Sequence, residues 1–272
     1  MTSVVIPAHN EARVIHRCLR ALLADAEPGE LEVVVVANGC TDDTAQQARR
    51  HRDVTVVELR QGSKPAALNA GDATATRFPR LYLDADVTLD RQAVRALAAA
   101  VQPQGPALAA APALHLDTAH SSPLVRSYQQ VWQRLPQIRE GLMGRGAYLL
   151  SRAGRERFGA WPDLIADDAL INERFTAAER AVVPAAVSTV TAERSVRELL
   201  HRKTRVFAGN RQLRATGGQQ PGTSLAAWRQ MLRASPALAV HVPVYLALNL
   251  LAKRRALRRD GEDSAWSTPR GD

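Results

Sequence analysis

Val4, Val5 and Ile6 form a short unbroken apolar run closed by Pro7, and Val14, Cys18, Leu19 and Leu22 then recur at three-to-four spacing. The first pattern predicts a buried strand; the second predicts an amphipathic helix with Asn10 as its N-cap. The alternation repeats after the Pro28–Gly29 turn. Val33 to Val36 reads as a second strand, followed by Asn38, Gly39 and a polar helix starting near Asp43. Val54 to Leu59 reads as a third strand, followed by Gly62-Ser63-Lys64-Pro65 and an Ala-rich helix containing Asn69, and Leu81 to Leu83 as a fourth. Continuously apolar strands separated by helices predict a parallel sheet covered on both faces, an α/β fold.

The pattern then loosens. Residues 91–101 read as a helix, Pro103 to Pro112 as an Ala/Pro/Gly loop leading into a strand around Leu114, and Ser127 to Gly146 as an amphipathic stretch interrupted by three glycines. Tyr148 to Leu150 reads as a short strand, and Asp167-Asp168 open a helical segment reaching Arg174. Beyond Pro184 the chain reads as mostly helical and basic. The expected organisation is a domain over 1–190, regular over 1–100 and looser over 101–190. A helical basic extension over 191–259 and a polar, disordered terminus at 260–272 complete it.

Charge sharpens that boundary. Of the formal net charge of +9, residues 1–190 contribute nothing, with 21 basic against 21 acidic side chains, and residues 191–272 carry 15 against 6. With 46% hydrophobic residues the chain reads as globular, and with 4% aromatic residues it lacks stacking platforms for nucleic acid. The two cysteines, Cys18 and Cys40, have neither metal-ligand spacing nor a disulfide framework, which points to a reducing cytoplasm. The opening residues do not read as a signal peptide.

The tripeptide Asp84-Ala85-Asp86 directly follows the fourth strand. In an open parallel sheet, ligands sit beyond the carboxyl ends of the strands, and carboxylates at i and i+2 on extended backbone face one side. Two such oxygens suit a hard divalent cation, Mg²⁺ or Mn²⁺, whose shell a diphosphate and water complete. Polar residues follow the other strands too: His9, Asn10 and Glu11 the first, Asn38 the second, Lys64 the third. An Asn can bond a nucleobase edge, Glu11 a ribose hydroxyl, and Lys64 can oppose phosphate charge. The plain alternatives are helix caps at Asn10 and Asp42, a turn at Gly39 and a solvated charge at Lys64. For Asp42 the cap is the better reading.

Three segments, Val4 to Glu11, Val33 to Thr44 and Asp84-Ala85-Asp86, resemble in order and spacing the opening signatures of family 2 glycosyltransferases of the GT-A fold. The resemblance covers about residues 1–180, and it implies that 1–100 is the nucleotide-sugar-binding half and 101–190 the acceptor half. It implies transfer of a sugar from a nucleoside-diphosphate sugar to an acceptor hydroxyl with inversion, assisted by Mg²⁺ or Mn²⁺. It also implies that Pro7, His9, Glu11, Asn38 and Lys64 line the nucleotide site, with Asp84 at the ribose and Asp86 at the metal-diphosphate. Asp167-Asp168 occupies the family's acidic-pair position behind the acceptor loop Gly144-Arg145-Gly146, and Asp168 is the expected general base. Ala37-Asn38 stands where paired aspartates are common, which leaves the nucleobase open among UDP-, GDP- and dTDP-sugars, with a UDP-sugar favoured because Asn38 can still bond uracil. No Gln-x-x-Arg-Trp is present, which implies single addition. In its place His201, Arg202 and Arg205 form either a diphosphate lid or a solvated basic face.

Pro236 to Ala252 is apolar except for His241 and Asn249, and Lys253, Arg254, Arg255, Arg258 and Arg259 come directly after it. The run falls short of the ~20 residues that span a bilayer. It fits peripheral contact with an anionic membrane surface, at the inner face of the membrane, or a helix packed on the core. The first of these implies a membrane-proximal or lipid-linked acceptor. Two other functions fit the scaffold. A nucleotidyltransferase would want a Gly-rich, Arg-containing first loop, which is absent; a non-catalytic nucleotide-sugar module would not need both acidic pairs.

Overall fold

The computed structural model describes residues 1–102, 105–163, 167–215, 217 and 222–258, and the terminus expected to be disordered at 260–272 lies outside them. Strand and helix alternate through β1 (Thr2–Ala8), α1 (Ile15–Leu23), β2 (Leu31–Asn38), α2 (Thr44–Arg49), β3 (Val54–Leu59), α3 (Lys64–Thr74), β4 (Arg80–Leu83) and α4 (Arg91–Ala100). Then come β5 (Ala109–Asp117), α5 (Pro123–Trp132), the single turn α6 (Pro136–Arg139), β6 (Ala147–Leu150), the single turn α7 (Arg152–Arg155), α8 (Asp167–Arg174) and β7 (Arg180–Thr191). Three helices end the described chain: α9 (Val196–Ala215), α10 (Leu225–Ala234) and α11 (Val242–Arg258).

The seven strands form one sheet in the order β3-β2-β1-β4-β6-β5-β7, in which only β6 runs against the rest. The fold is therefore the mostly parallel α/β architecture that the apolar runs require. Every residue of β1 is buried, because helices cover both faces. Val4 and Ile6 pack with Leu19, Leu22 and Leu97 of α1 and α4, while Val5 packs on the opposite face with Leu68 of α3. Ser63 and Asp90 cap α3 and α4, accepting from the amides of Ala66 and Ala93 at 3.3 and 2.7 Å.

Three local expectations are corrected. Asn10 is not the N-cap of α1: it sits at φ 55°, and its Oδ1 accepts from the Thr41 amide across the sheet edge at 2.8 Å. The loop expected up to Pro112 is strand from Ala109. The helical region expected beyond Pro184 begins only at Val196, because Pro184 lies inside the twelve-residue strand β7. Both prolines fall at one irregularity. Pro112 pairs with Val183 but Ala113 with Val187, so Pro184 to Ala186 bulge out of the ladder and no hydrogen bond is asked of the proline nitrogen.

The C-terminal helices do not stand apart. Leu199, Leu200, Leu248 and Ala252 of α9 and α11 share a buried cluster with Val125, Tyr128, Val131 and Trp132 of α5. Since α5 and α9 come after the carboxyl ends of β5 and β7, this helical layer is attached at the sheet edge where β1 to β4 also end.

Candidate functional site

The carboxyl ends of β1 to β4 share one edge, and antiparallel pairing sets Leu83 opposite Ala147, so the loop before β6 arrives there as well. Asp84 is the first residue beyond β4. Its amide donates to the Gly146 carbonyl at 2.8 Å, and its own carbonyl accepts from the Val87 amide at 3.1 Å. Asp84 to Val87 is thus a tight turn, not the extended segment expected, with Ala85 buried and both aspartates half-buried. Gly146 is obligatory: it has φ +61°, and a Cβ there would come within 2.3 Å of Val87. β7 completes the support. Thr88 and Thr189 exchange backbone hydrogen bonds of 3.1 and 2.9 Å, and the Ser188 hydroxyl donates to the Arg145 carbonyl at 2.9 Å. The strand missed in the sequence holds both loops of the site.

Lys64, at the first turn of α3, places its ammonium 2.8 Å from Asp84 Oδ1 and 2.9 Å from Asp167 Oδ1. Burial works against this cation, but Asp167 and Asp84 outweigh it and hold its pKa above the ordinary lysine range. For Asp84 burial dominates: although Lys64 opposes the shift, the nearby Asp86 and Asp167 add to it, and the carboxyl is pushed up to about 6. The solvated-charge reading of Lys64 is thereby set aside.

The acidic pair divides its work. Both Asp167 oxygens are engaged, one by Lys64 and the other by the Tyr148 hydroxyl at 2.9 Å. Asp168 is held by backbone instead; its oxygens accept from the amides of Gly144 and Ala169 at 2.9 and 2.8 Å. Burial first, and then the charge of Asp167, push its pKa up. Pro7, Lys64, Asp84, Gly146, Asp167 and Asp168 line one cavity of about 140 Å³. The structure therefore brings five of the expected site residues and the acceptor-loop glycine to one crevice.

Others fall elsewhere. Asn38 is fully buried, its Oδ1 accepting from the Ser63 amide at 3.0 Å, so it holds the β3–α3 loop instead of presenting an edge to a base. Its Nδ2 is buried with no partner among the described residues. His9 is half-buried, with Nδ1 2.7 Å from the Asn38 carbonyl, and Glu11 receives support through its amide, which donates to Thr44 Oγ1 at 2.8 Å. Asp42 does act at a helix start, accepting from the Thr44 amide at 3.0 Å. Arg145 points inward: 2% exposed, its guanidinium donates to the carbonyls of Pro112, Ile138, Arg139 and Gly141, so only the backbone of that residue serves the loop. In the basic segment, Arg202 pairs with Glu193 and lies over the Trp132 ring, while His201 Nε2 is buried with no partner among the described residues. Arg205 is half-buried on the same helix.

Sequence reasoning missed Tyr148 as a site residue, although its place two residues after Gly146 on a strand entering the edge was a usable signal. It also missed Asp72, whose carboxylate joins Arg80, Arg155, the Tyr82 hydroxyl and Trp161 Nε1 behind the crevice. Tyr82 stacks on Tyr148 with ring centroids 5.2 Å apart.

The donor set fits a hard cation. Asp84 and Asp86 offer oxygen only, and among the described residues no group of three or more His, Cys, Asp or Glu side chains is gathered to hold a metal by itself. A cation at this turn therefore needs oxygens from a ligand to complete its shell.

Residues 3–143 match the family described as Glycosyl transferase family 2. Among curated relatives, glycosyltransferase AglE of Haloferax volcanii is 34% identical over 97 residues, 33% of this chain and 32% of that protein. The uncharacterized glycosyltransferase Rv0539 of Mycobacterium tuberculosis is 38% identical over 88 residues, 32% of this chain and 38% of that one. The chain thus matches about a third of the length of these relatives. The mannosyltransferase PcManGT from Pyrobaculum calidifontis, solved with GDP-Man and Mn²⁺, superposes with TM-score 0.66 at 23% identity, covering 96% of this chain and 88% of that one. Glucosyl-3-phosphoglycerate synthase of Mycobacterium tuberculosis, solved with Mn²⁺, UDP-glucose and phosphoglyceric acid, gives 0.56 at 20% identity over 82% and 81%. These likenesses establish a shared fold.

Proposed function

From a chain that belongs to glycosyl transferase family 2, we propose a metal-dependent, inverting glycosyltransferase that moves one sugar from a nucleoside-diphosphate sugar to a hydroxyl acceptor at or near a membrane. The observation that carries this reading is the meeting of Asp84, Lys64 and the amide-held Asp168 in one crevice at the carboxyl edge of the sheet. That arrangement supplies charge for a diphosphate at one side and a proton acceptor at the other. The solved relatives with GDP-Man or UDP-glucose and Mn²⁺ support the donor class; between UDP-, GDP- and dTDP-sugars the burial of Asn38 removes the contact that favoured uracil.

In this mechanism Asp168 takes the proton of the acceptor hydroxyl as its oxygen attacks the anomeric carbon from the face opposite the nucleotide. The bond from that carbon to the diphosphate oxygen breaks, and the electron pair leaves with the diphosphate. Burial and the neighbouring Asp167 make Asp168 a stronger base than a solvated aspartate. Lys64 orients Asp84 and Asp167, and Tyr148 fixes the second oxygen of Asp167. A divalent cation held by Asp86 and Asp84 would neutralise charge on the departing diphosphate.

A screen of nucleotide sugars for slow hydrolysis with Mn²⁺ tests the reading and identifies the donor without knowledge of the acceptor. The expected outcome is turnover of one nucleotide class, lost in Asp86→Ala. Stabilisation of the protein by NAD, or hydrolysis indifferent to Mn²⁺ and to Asp86→Ala, overturns it.

A further inference from the structure

Helix α11 has two unlike faces. Leu248, Ala252 and Ala256 are buried, and Leu248 and Ala252 pack with α5 and α9. On the other side Leu246, Leu250 and Leu257 are 54, 50 and 56% exposed, four and seven residues apart, and Pro243 and Ala247 are exposed beside them. The stripe continues backward through the exposed Pro236, Ala237, Ala239 and Val240 of the preceding turn. A run of leucines at helical spacing with one side in the core leaves the other apolar side facing solvent, which soluble surfaces avoid over such a length.

Charge identifies what covers it. Between residues 199 and 258 there are eleven Lys and Arg and no Asp or Glu. Arg229 and Arg233 stand exposed on α10 at one end of the stripe, and Lys253, Arg254 and Arg258 stand exposed at the other. A protein partner or a second copy of this chain would have to bring carboxylates; the second copy has none in this region. An anionic bilayer supplies negative headgroups beside hydrocarbon, the pairing that an apolar stripe bounded by cations matches. Among the described residues no helix is long and apolar enough to cross a membrane, so the segment can only lie along it.

We propose that the outward face of α11 and the turn before it dock on an anionic lipid surface, with Leu246, Leu250 and Val240 entering the headgroup boundary and Lys253, Arg254 and Arg258 on the lipid phosphates. The proposal deepens the membrane-proximal half of the functional reading and rests on it. α11 packs on α5 and α9, both attached at the crevice edge of the sheet, so docking turns that layer to the bilayer and delivers a membrane-held acceptor to the edge where Asp168 lies.

The test is co-sedimentation of the full chain with vesicles of phosphatidylcholine, alone or mixed with phosphatidylglycerol, alongside size measurement in solution. The expected result is pelleting with the anionic vesicles only, weakened by salt. Each neutralised cation should lower partitioning on the order of fivefold, read in Lys253→Gln and Arg254→Gln, and the double variant Leu246→Ser, Leu250→Ser should abolish pelleting. All four positions are exposed, and retained stabilisation by a nucleoside diphosphate with Mn²⁺ certifies the fold of each variant. Equal pelleting of wild type and face variants, no pelleting of wild type, or a dimer that the face variants dissolve each overturns the proposal. Loss of nucleotide stabilisation in wild type would instead strike the crevice chemistry and leave vesicle binding to be judged separately.

Discussion

The crevice and the C-terminal helices both concentrate charge, and they do it in opposite ways. In the crevice one ammonium faces two carboxylates at 2.8 and 2.9 Å, two backbone amides hold Asp168, and burial moves the pKa values of Asp84 and Asp168 upward. On α10 and α11 the cations Arg229, Arg233, Lys253, Arg254 and Arg258 are exposed and stand beside apolar side chains. Charge that is paired and desolvated is fixed in place and changes its chemistry; charge that is solvated keeps its ordinary chemistry and acts through the field it makes. The first arrangement suits bond making, the second suits surface recruitment.

The largest expected effect breaks the crevice side of that comparison. Asp168→Asn keeps the size and, through its single carbonyl oxygen, one of the two amide contacts, but removes the proton acceptor, so turnover should fall by about 10²–10⁴. Stabilisation by a nucleoside diphosphate with Mn²⁺ should persist. Unchanged turnover would remove Asp168 as the base.

Lys64→Ala should cost about 3 kcal/mol of folding stability at neutral pH, because it leaves the buried Asp167 and the half-buried Asp84 without their cation. Urea unfolding measures it. The deficit should shrink as pH falls and the orphaned carboxyls take up protons; a loss independent of pH would mean that packing, not charge, accounts for the effect. On the helical side Leu248→Ala, a buried truncation, should cost about 2–5 kcal/mol with no such pH dependence.

Much of this was legible in the sequence, for a physical reason that also marks where legibility ends. Strands β1, β2 and β4 are largely buried on both faces, so their residues are mostly apolar, and the residues directly after each strand must lie at the sheet edge. Asp84 and Asp86 could be placed there from that pattern alone. β7 was hidden because Pro184 and the alanines around it carry no strand signal; the bulge that tolerates the proline depends on a partner strand about 70 residues away. Asn38 was misjudged because its position at a strand end does not reveal that its amide turns inward to the Ser63 backbone. Arg145, between two glycines, gave no sign that its guanidinium would find four carbonyls.

A smaller effect sharpens the crevice chemistry through pH. The Asp84 pKa is raised from its ordinary 3.8 to about 6, so the folded state holds this proton more tightly than the unfolded one. Its contribution to folding therefore grows as pH falls from about 6 toward 3.8 and is absent above that window. Metal binding runs the other way, since the cation needs the ionised carboxylate. The affinity for Mn²⁺ should be flat above about pH 6 and fall up to about tenfold per pH unit below it, read by thermal shift with a nucleoside diphosphate present. Affinity that holds steady down to about pH 4 would remove Asp84 from the metal site.

The smallest expected effect lies two residues from one of the largest. Leu250 is half exposed on the outward face of α11, while Leu248 is buried against α5 and α9. Leu250→Ser exchanges one exposed side chain for another, and its effect on folding should stay within about 0.5 kcal/mol, measurable against Leu248→Ala under the same denaturant. If a partner that the free chain always carries covered this face, Leu250→Ser would instead cost as much as Leu248→Ala. Near-neutrality means that Leu250 does nothing for the fold. An apolar side chain that the fold does not need, flanked by cations in a stretch of chain without carboxylates, is what the proposed docking on an anionic lipid surface requires.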